Sequence, residues 1–246
     1  MSTDAPAPRR FLIVCPARSG STLLVRTLRT HPRLRVHGEV YGQPMVGLDA
    51  PLAALDPPAL AALEALRFTD PAAALARFFA PHGAEAAGFK LKYEELVQPA
   101  WAPVLARLQA DHALHVVFLE RRDLLARYVS HQIVLRQTGI THVPAGQPVP
   151  AIAPFAVDVD DLLRDIAETR RRAAHFAQVF AAQPSLRIAY EDLAADPQAS
   201  CDRIAGFLGV APAPVRVATE KIVRQPPQAL LLNYPEIAAA LAAVAG

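Results

Sequence analysis

The chain has 246 residues, 52% of them hydrophobic and 20% charged, with a formal net charge of +2. That is enough apolar material for a sizeable buried core and too little charge for disorder or for bulk nucleic-acid binding. Cys15 and Cys201 show no metal-ligand spacing, no apolar run reaches the ~20 residues of a membrane span, and Met1–Arg10 lacks an apolar signal core. The expectation is a cytoplasmic protein with a flexible segment at 1–10 and a single domain over 11–246.

Five short apolar runs predict strands: Phe11–Val14, Leu34–His37, Gly88–Lys92, Leu114–Leu119 and Leu186–Tyr190. Helical periods separate them. The first follows Phe11–Val14 through Leu23, Leu24 and Leu28, and an Ala/Leu-rich stretch over Asp56–Ala80 comes next. Leu124–Arg136 and Leu162–Ala182 predict two more, and Gln228–Val244 a last, apolar one that a second copy of the chain could cover. Asp56-Pro57, Asp70-Pro71 and Asp196-Pro197 each set a capping carboxylate before a proline suited to a first helical turn. The last opens a helix that Gly209 should stop. Strands alternating with helices predict an α/β fold: three layers, with a mainly parallel sheet of about five strands flanked by helices. Residues 140–157 carry four prolines and no period, and are expected to form a flap or a surface excursion.

Residues Cys15–Thr22, CPARSGST, join the first strand to its helix. Strand, tight turn and helix aim backbone N–H groups and a helix N-terminus at an anion. Gly20 allows close approach, Ser19, Ser21 and Thr22 offer hydroxyls, and Arg18 a bidentate charge. The segment is P-loop-like but lacks the first glycine and the lysine of GxxxxGK[ST]. Glu39, past the strand LRVHG, is placed either as a general base or as a solvated strand-end acid, with His37 two residues before it on the same face if the strand runs on. In LERRDLLARYVS, Ser130 follows Arg122 by eight residues, roughly 12 Å of helix, so the two could flank one anion; Arg121 and Arg127 are expected to face solvent. Tyr190 offers a flat ring to a base or fills the core. Glu191 and Asp192 have no ligand partners in sequence, and no metal site is expected.

Taken together, these segments resemble the sulfotransferases that use 3′-phosphoadenosine-5′-phosphosulfate (PAPS), from about Phe11 to Val210. CPARSGSTLL is similar to that family's 5′-phosphosulfate loop, Arg122…Ser130 to its 3′-phosphate motif, and YEDLAADPQASCDRIAGFLGV to its YEDL…P…I..FLG stretch. HPRLRVHGEV resembles the segment in which the Golgi tyrosylprotein and bacterial carbohydrate branches carry a glutamate base. The resemblance implies that Arg18, Ser19, Gly20, Ser21 and Thr22 hold the 5′-phosphosulfate, that Arg122 and Ser130 hold the 3′-phosphate, that Tyr190 lies near adenine and that Glu39 is the base, with PAPS as sulfuryl donor and no metal. The glycine-rich RKG-type motif of the cytosolic branch is absent, with Lys221 and Arg224 as candidate substitutes. The implied acceptor is a glycan or small molecule, in the order sugar, lipid-linked glycan, peptide tyrosine, phenol. Tyr41, Trp101, Phe155 and His142 are candidates to line its site, and Glu64, Arg67, Phe78 and Phe79 lie in a helical segment that packs on the sheet or borders the acceptor mouth. Two other classes stay open: a degenerate P-loop nucleotide kinase and a non-catalytic anion-binding module.

Overall fold

A computed structural model describes residues 8–244. The five expected strands all form: β1 (Arg9–Cys15), β2 (Leu34–Glu39), β3 (Ala86–Lys92), β4 (His115–Glu120) and, after a short β5 (Val143–Pro144), β6 (Ser185–Ala189). They make one sheet in the order β2-β3-β1-β4-β6, parallel throughout. From β1 the chain passes to β2 and then β3 on one side, then crosses to β4 and β6 on the other. This reversal opens a crevice beyond the C-terminal end of β1, where ligands of such sheets bind. Of the segment 1–10 expected to be flexible, residues 1–7 lie outside the described residues, while Arg9 and Arg10 begin β1.

Helices cover both faces. α1 (Ser21–Leu28) and α9 (Pro197–Phe207) pack Leu24, Leu28, Ile204 and Leu208 against Phe11, Ile13 and Val36. On the other face α2 (Pro57–Thr69), α3 (Pro71–Phe78), α5 (Ala102–Ala110) and α7 (Val159–Val179) enclose a second core around Leu12, Val14, Phe89, Phe78, Trp101 and Phe176. α4 (Tyr93–Leu96) follows β3 directly. α6 (Leu124–Ile133) leads into a wide turn over Val134–Thr138 and packs on α7 with α10 (Pro227–Leu230) and α11 (Tyr234–Ala243).

The three Asp-Pro caps form as the chemistry requires. Asp56 accepts from the Ala59 amide, Asp70 from those of Ala72 and Ala73, and Asp196 from that of Ala199. Asp70 therefore divides the expected helix Asp56–Ala80 into α2 and α3. The expected helix Gln228–Val244 is likewise split, by Leu231–Asn233 before Pro235. Gly209, at φ +69°, ends α9, and the Val210 amide returns to the Ala205 carbonyl. Tyr190 does not end β6 but starts α8 (Tyr190–Ala195). The proline-rich stretch 140–157 is tied down along its length, most regularly at two places. β5 pairs antiparallel with β7 (Thr219–Glu220), and Phe155 exchanges backbone hydrogen bonds with Leu230 and Leu232.

Candidate active site

The loop Pro16–Gly20 leaves the C-terminal end of the central strand and enters α1. Two of its residues are left-handed, Arg18 at φ +63° and Gly20 at φ +83°. Position 20 demands glycine twice over, because a Cβ there would run into the Tyr190 ring. The loop is pinned from behind by two arginines: Arg127 donates to the Ala17 carbonyl at 3.3 Å and Arg121 to the Arg18 carbonyl at 3.2 Å. A trans peptide sets its N–H opposite its C=O, so with these carbonyls turned to the arginines the amides of Arg18 and Ser19 turn the other way. Residues 17–18 form a tight turn that returns the Ser19 amide toward Pro16, while among the described residues the amides of Arg18 and Gly20 make no hydrogen bond. Ser19 is fully buried, its hydroxyl returning to the Pro16 carbonyl at 2.9 Å. Ser21 and Thr22 are the first two residues of α1.

Arg18 and Ser130, 112 residues apart, meet: Arg18 Nε donates to Ser130 Oγ at 3.2 Å, and its Nη1 to the Thr141 carbonyl at 2.7 Å. The loop Pro16–Gly20, α6 and the stretch 140–157 thus converge. One residue on, Arg26 Nη2 meets His142 Nε2 at 2.7 Å. Burial first, then the charges of Arg26, Lys90 and Arg18, hold the His142 imidazole below its usual range, opposed by Glu39. Those four charges therefore lie near enough to His142 to act on it.

Arg122 does not join them. It is exposed and forms a two-pronged ion pair with Asp192, 2.8 Å on each arm, at the rim of a shallow groove shared with Arg187 and Arg203. Arg122 and Ser130, expected to flank one anion, are not in contact here, and the arginine that turns to the loop is Arg121. Its guanidinium lies 4.5 Å from the Tyr190 ring centroid, and its Nε is buried without a partner. Arg127 also contradicts expectation. It is 1% exposed and joined to Asp165. A helical spacing could have found it, since Arg127 and Ser130 stand at i and i+3 and share a face. Tyr190 sits at the loop's edge, held between Gly20 and Arg121.

Glu39 ends β2 beside β3. A bulge between His37 and Glu39 breaks the two-residue alternation. His37 therefore turns into the core against Phe78, fully buried, its Nδ1 accepting from the Asp49 amide at 2.9 Å. Burial lowers its pKa to about 4, which leaves it neutral. Glu39 instead accepts from Lys90 Nζ at 2.7 Å and Lys92 Nζ at 2.8 Å, two lysines that share one face of β3. Burial pushes the Glu39 carboxyl up, but the Lys90 charge and the hydrogen bonds from both lysines outweigh it and hold the carboxyl at about 2. Lys92 also lies 3.3 Å from the buried Glu95, so two cations and two anions alternate.

Of the four residues considered for an acceptor, His142 lies beside α1, against Arg26. Tyr41 and Trp101 are buried in the core, and Phe155 packs beside α6 and α10. Arg67 is buried and donates to the Val40 and Gly42 carbonyls, bracing the turn after Glu39, while Phe78 is core and Phe79 packs against it. Arg224 pairs with Glu220 and Lys221 is exposed. Among the described residues no three His, Cys, Asp or Glu side chains gather as a ligand set.

No family model and no curated protein matches the chain. Solved structures do. A sulfotransferase from Alicyclobacillus acidocaldarius aligns over 96% of this chain and 94% of its own at 17% identity and a TM-score of 0.52. The sulfotransferase domain from the curacin biosynthetic pathway aligns over 84% of this chain and 76% of its own at 20% identity and a TM-score of 0.51. At these identities the likeness is one of fold: a phosphate-type loop after the central strand of a five-stranded parallel sheet, which this chain shares with sulfotransferases.

Proposed function

We propose that the chain is a PAPS-dependent sulfotransferase that moves a sulfuryl group to an acceptor hydroxyl, on a carbohydrate or glycolipid, with Glu39 as general base. The observation that carries this reading is the loop itself. The unbonded amides of Arg18 and Gly20 and the guanidiniums of Arg18 and Arg121, neither of which meets a carboxylate among the described residues, gather at the loop, with Glu39 near enough to act on the Arg18 charge. Half-buried cations without a carboxylate partner and an unpartnered Arg121 Nε fit a polyanion.

When bound, PAPS supplies a sulfuryl group on a phosphate leaving group. The loop amides and Arg18 sit where negative charge grows as that phosphate departs, fixed in advance by Arg121 and Arg127. Ser130 and Tyr190 would lie along the nucleoside. Transfer of this kind asks mostly for positioning and charge stabilisation. Glu39, ionised at any physiological pH and anchored by Lys90 and Lys92, orients the acceptor hydroxyl and takes its proton as the new S–O bond forms. Two buried unpaired thiols, Cys15 and Cys201, accord with a reducing cytoplasm, and the apolar α11 is the surface on which a homodimer would be sought.

A thermal-shift series with adenosine 3′,5′-bisphosphate, ATP/Mg²⁺ and GTP/Mg²⁺, followed by transfer from labelled PAPS to a panel of sugars and phenols, tests the reading. Selective stabilisation by the bisphosphate, about 2.7 kcal/mol at a hundredfold excess over Kd, together with label transfer, is the expected result. Stabilisation by a nucleoside triphosphate alone would point to a kinase, and binding without transfer to any acceptor would point to a non-catalytic module.

A further inference from the structure

The free Arg18 amide is aimed by the peptide planes around it, and a charged side chain holds each of these planes. The Ala17 amide donates to Glu94 Oε1 at 3.4 Å, Arg127 donates to the Ala17 carbonyl, and Arg121 to the Arg18 carbonyl. We propose that Glu94, in α4, is a positioning residue for sulfuryl transfer: with Arg127 it clamps Ala17 from both sides, and α7, which carries partners of both, sets the aim of the loop. This rests on the donor assignment above.

Arg18 stands at φ +63°, a conformation that a residue with a Cβ keeps only where its surroundings impose it. On the N-terminal side the clamp imposes it. Glu94 fixes the Pro16–Ala17 plane, whose carbonyl also takes the Ser19 hydroxyl, and Arg127 fixes the Ala17–Arg18 plane. A carboxylate behind an anion site repels the ligand unless cations answer it. Here two do. Burial lowers the Arg127 pKa, and the Glu94 charge is the main one opposing that shift. Arg172 Nη1 lies 3.9 Å from Glu94 Oε1. Arg127 is joined in turn to Asp165, and Arg172 to Glu168. Asp165, Glu168 and Arg172 share one face of α7 at i, i+3 and i+7. Glu94 thus acts through the backbone it holds and is not itself a catalytic residue.

Nitrogen-15 NMR of the intact protein reads the clamp at its own amide. In the free wild type, after correction for intrinsic rates, the Ala17 amide should exchange with water about tenfold or more slowly than those of Arg18 and Gly20, which make no hydrogen bond among the described residues. Glu94→Ala should remove that protection and weaken calorimetric binding of adenosine 3′,5′-bisphosphate by about fivefold or more. Glu94→Gln, whose side-chain oxygen still accepts, should hold both readouts within about threefold of wild type. A wild-type Ala17 amide that exchanges as fast as that of Arg18 overturns the clamp, and this measurement needs no variant to fold. A bisphosphate affinity unchanged by Glu94→Ala, or a lowered unfolding temperature with Ala17 exchange unmoved, overturns the positioning role. Each of these leaves the donor assignment standing. A wild type that does not bind the bisphosphate overturns the donor assignment and the role together.

Discussion

Replacing Lys90 by Met tests the electrostatics of Glu39 directly. Lys90 is 3% exposed, its Nζ is 2.7 Å from Glu39 Oε1, and it is the strongest influence lowering the Glu39 pKa. The drop from 4.5 to about 2 corresponds to about 3 kcal/mol. Since part of the carboxylate is in water, about 2 kcal/mol survives screening. A carboxyl depressed in the folded state stabilises the fold fully above its unfolded pKa of 4.5, and that contribution is lost as pH falls toward 2. Without Lys90, burial is opposed by Lys92 alone, and the Glu39 pKa should climb by roughly one to two units. Stability at pH 7 should fall by ~1–2 kcal/mol, less than for a pair left wholly unpartnered because Lys92 remains. The acid-side loss of stability between pH 4.5 and 2 should flatten. Carbon-13 NMR titration of the Glu39 carboxyl and urea denaturation across pH 2–7 read both effects. A Glu39 titration unmoved by Lys90→Met would refute the claim that this buried ammonium sets the carboxylate's charge.

Three further outcomes follow from the same geometry. Arg121→Ala should weaken binding of adenosine 3′,5′-bisphosphate by roughly 2–4 kcal/mol, whereas Arg122→Ala, which removes a surface pair, should change it by less than ~0.5 kcal/mol; calorimetry on the two variants separates them, and the opposite ranking would put the wrong arginine at the loop. Gly20→Ala should cost at least ~1–3 kcal/mol in thermal unfolding, from the left-handed backbone and the Tyr190 ring together. Adding Tyr190→Ala should restore only the part due to the clash, and full restoration would deny the backbone share. Glu39→Gln should lower turnover by roughly a hundredfold while bisphosphate affinity persists; unchanged turnover removes Glu39 from the base role.

Much of this protein was decided locally. Runs such as Phe11–Val14 and Leu114–Leu119 are apolar because both faces of a parallel sheet are covered, and that marks a strand without reference to the rest of the chain. The Asp-Pro caps, Gly209 and the turn through Gly20 are likewise matters of a few consecutive residues. Tertiary structure decided what depends on distant partners. Arg121 and Arg122 are neighbours in the chain, yet one is drawn to the Arg18 carbonyl, 103 positions away, and the other to Asp192, 70 positions away. Glu39 is a weakly basic, permanently charged group because β2–β3 pairing sets it against lysines 51 and 53 positions on. His142 meets Arg26 of α1 beside a strand, β5, that pairs with β7 across 77 residues of chain. Charge state and side-chain direction are set by whichever groups packing brings within a few ångströms, and no local pattern of residues carries that information.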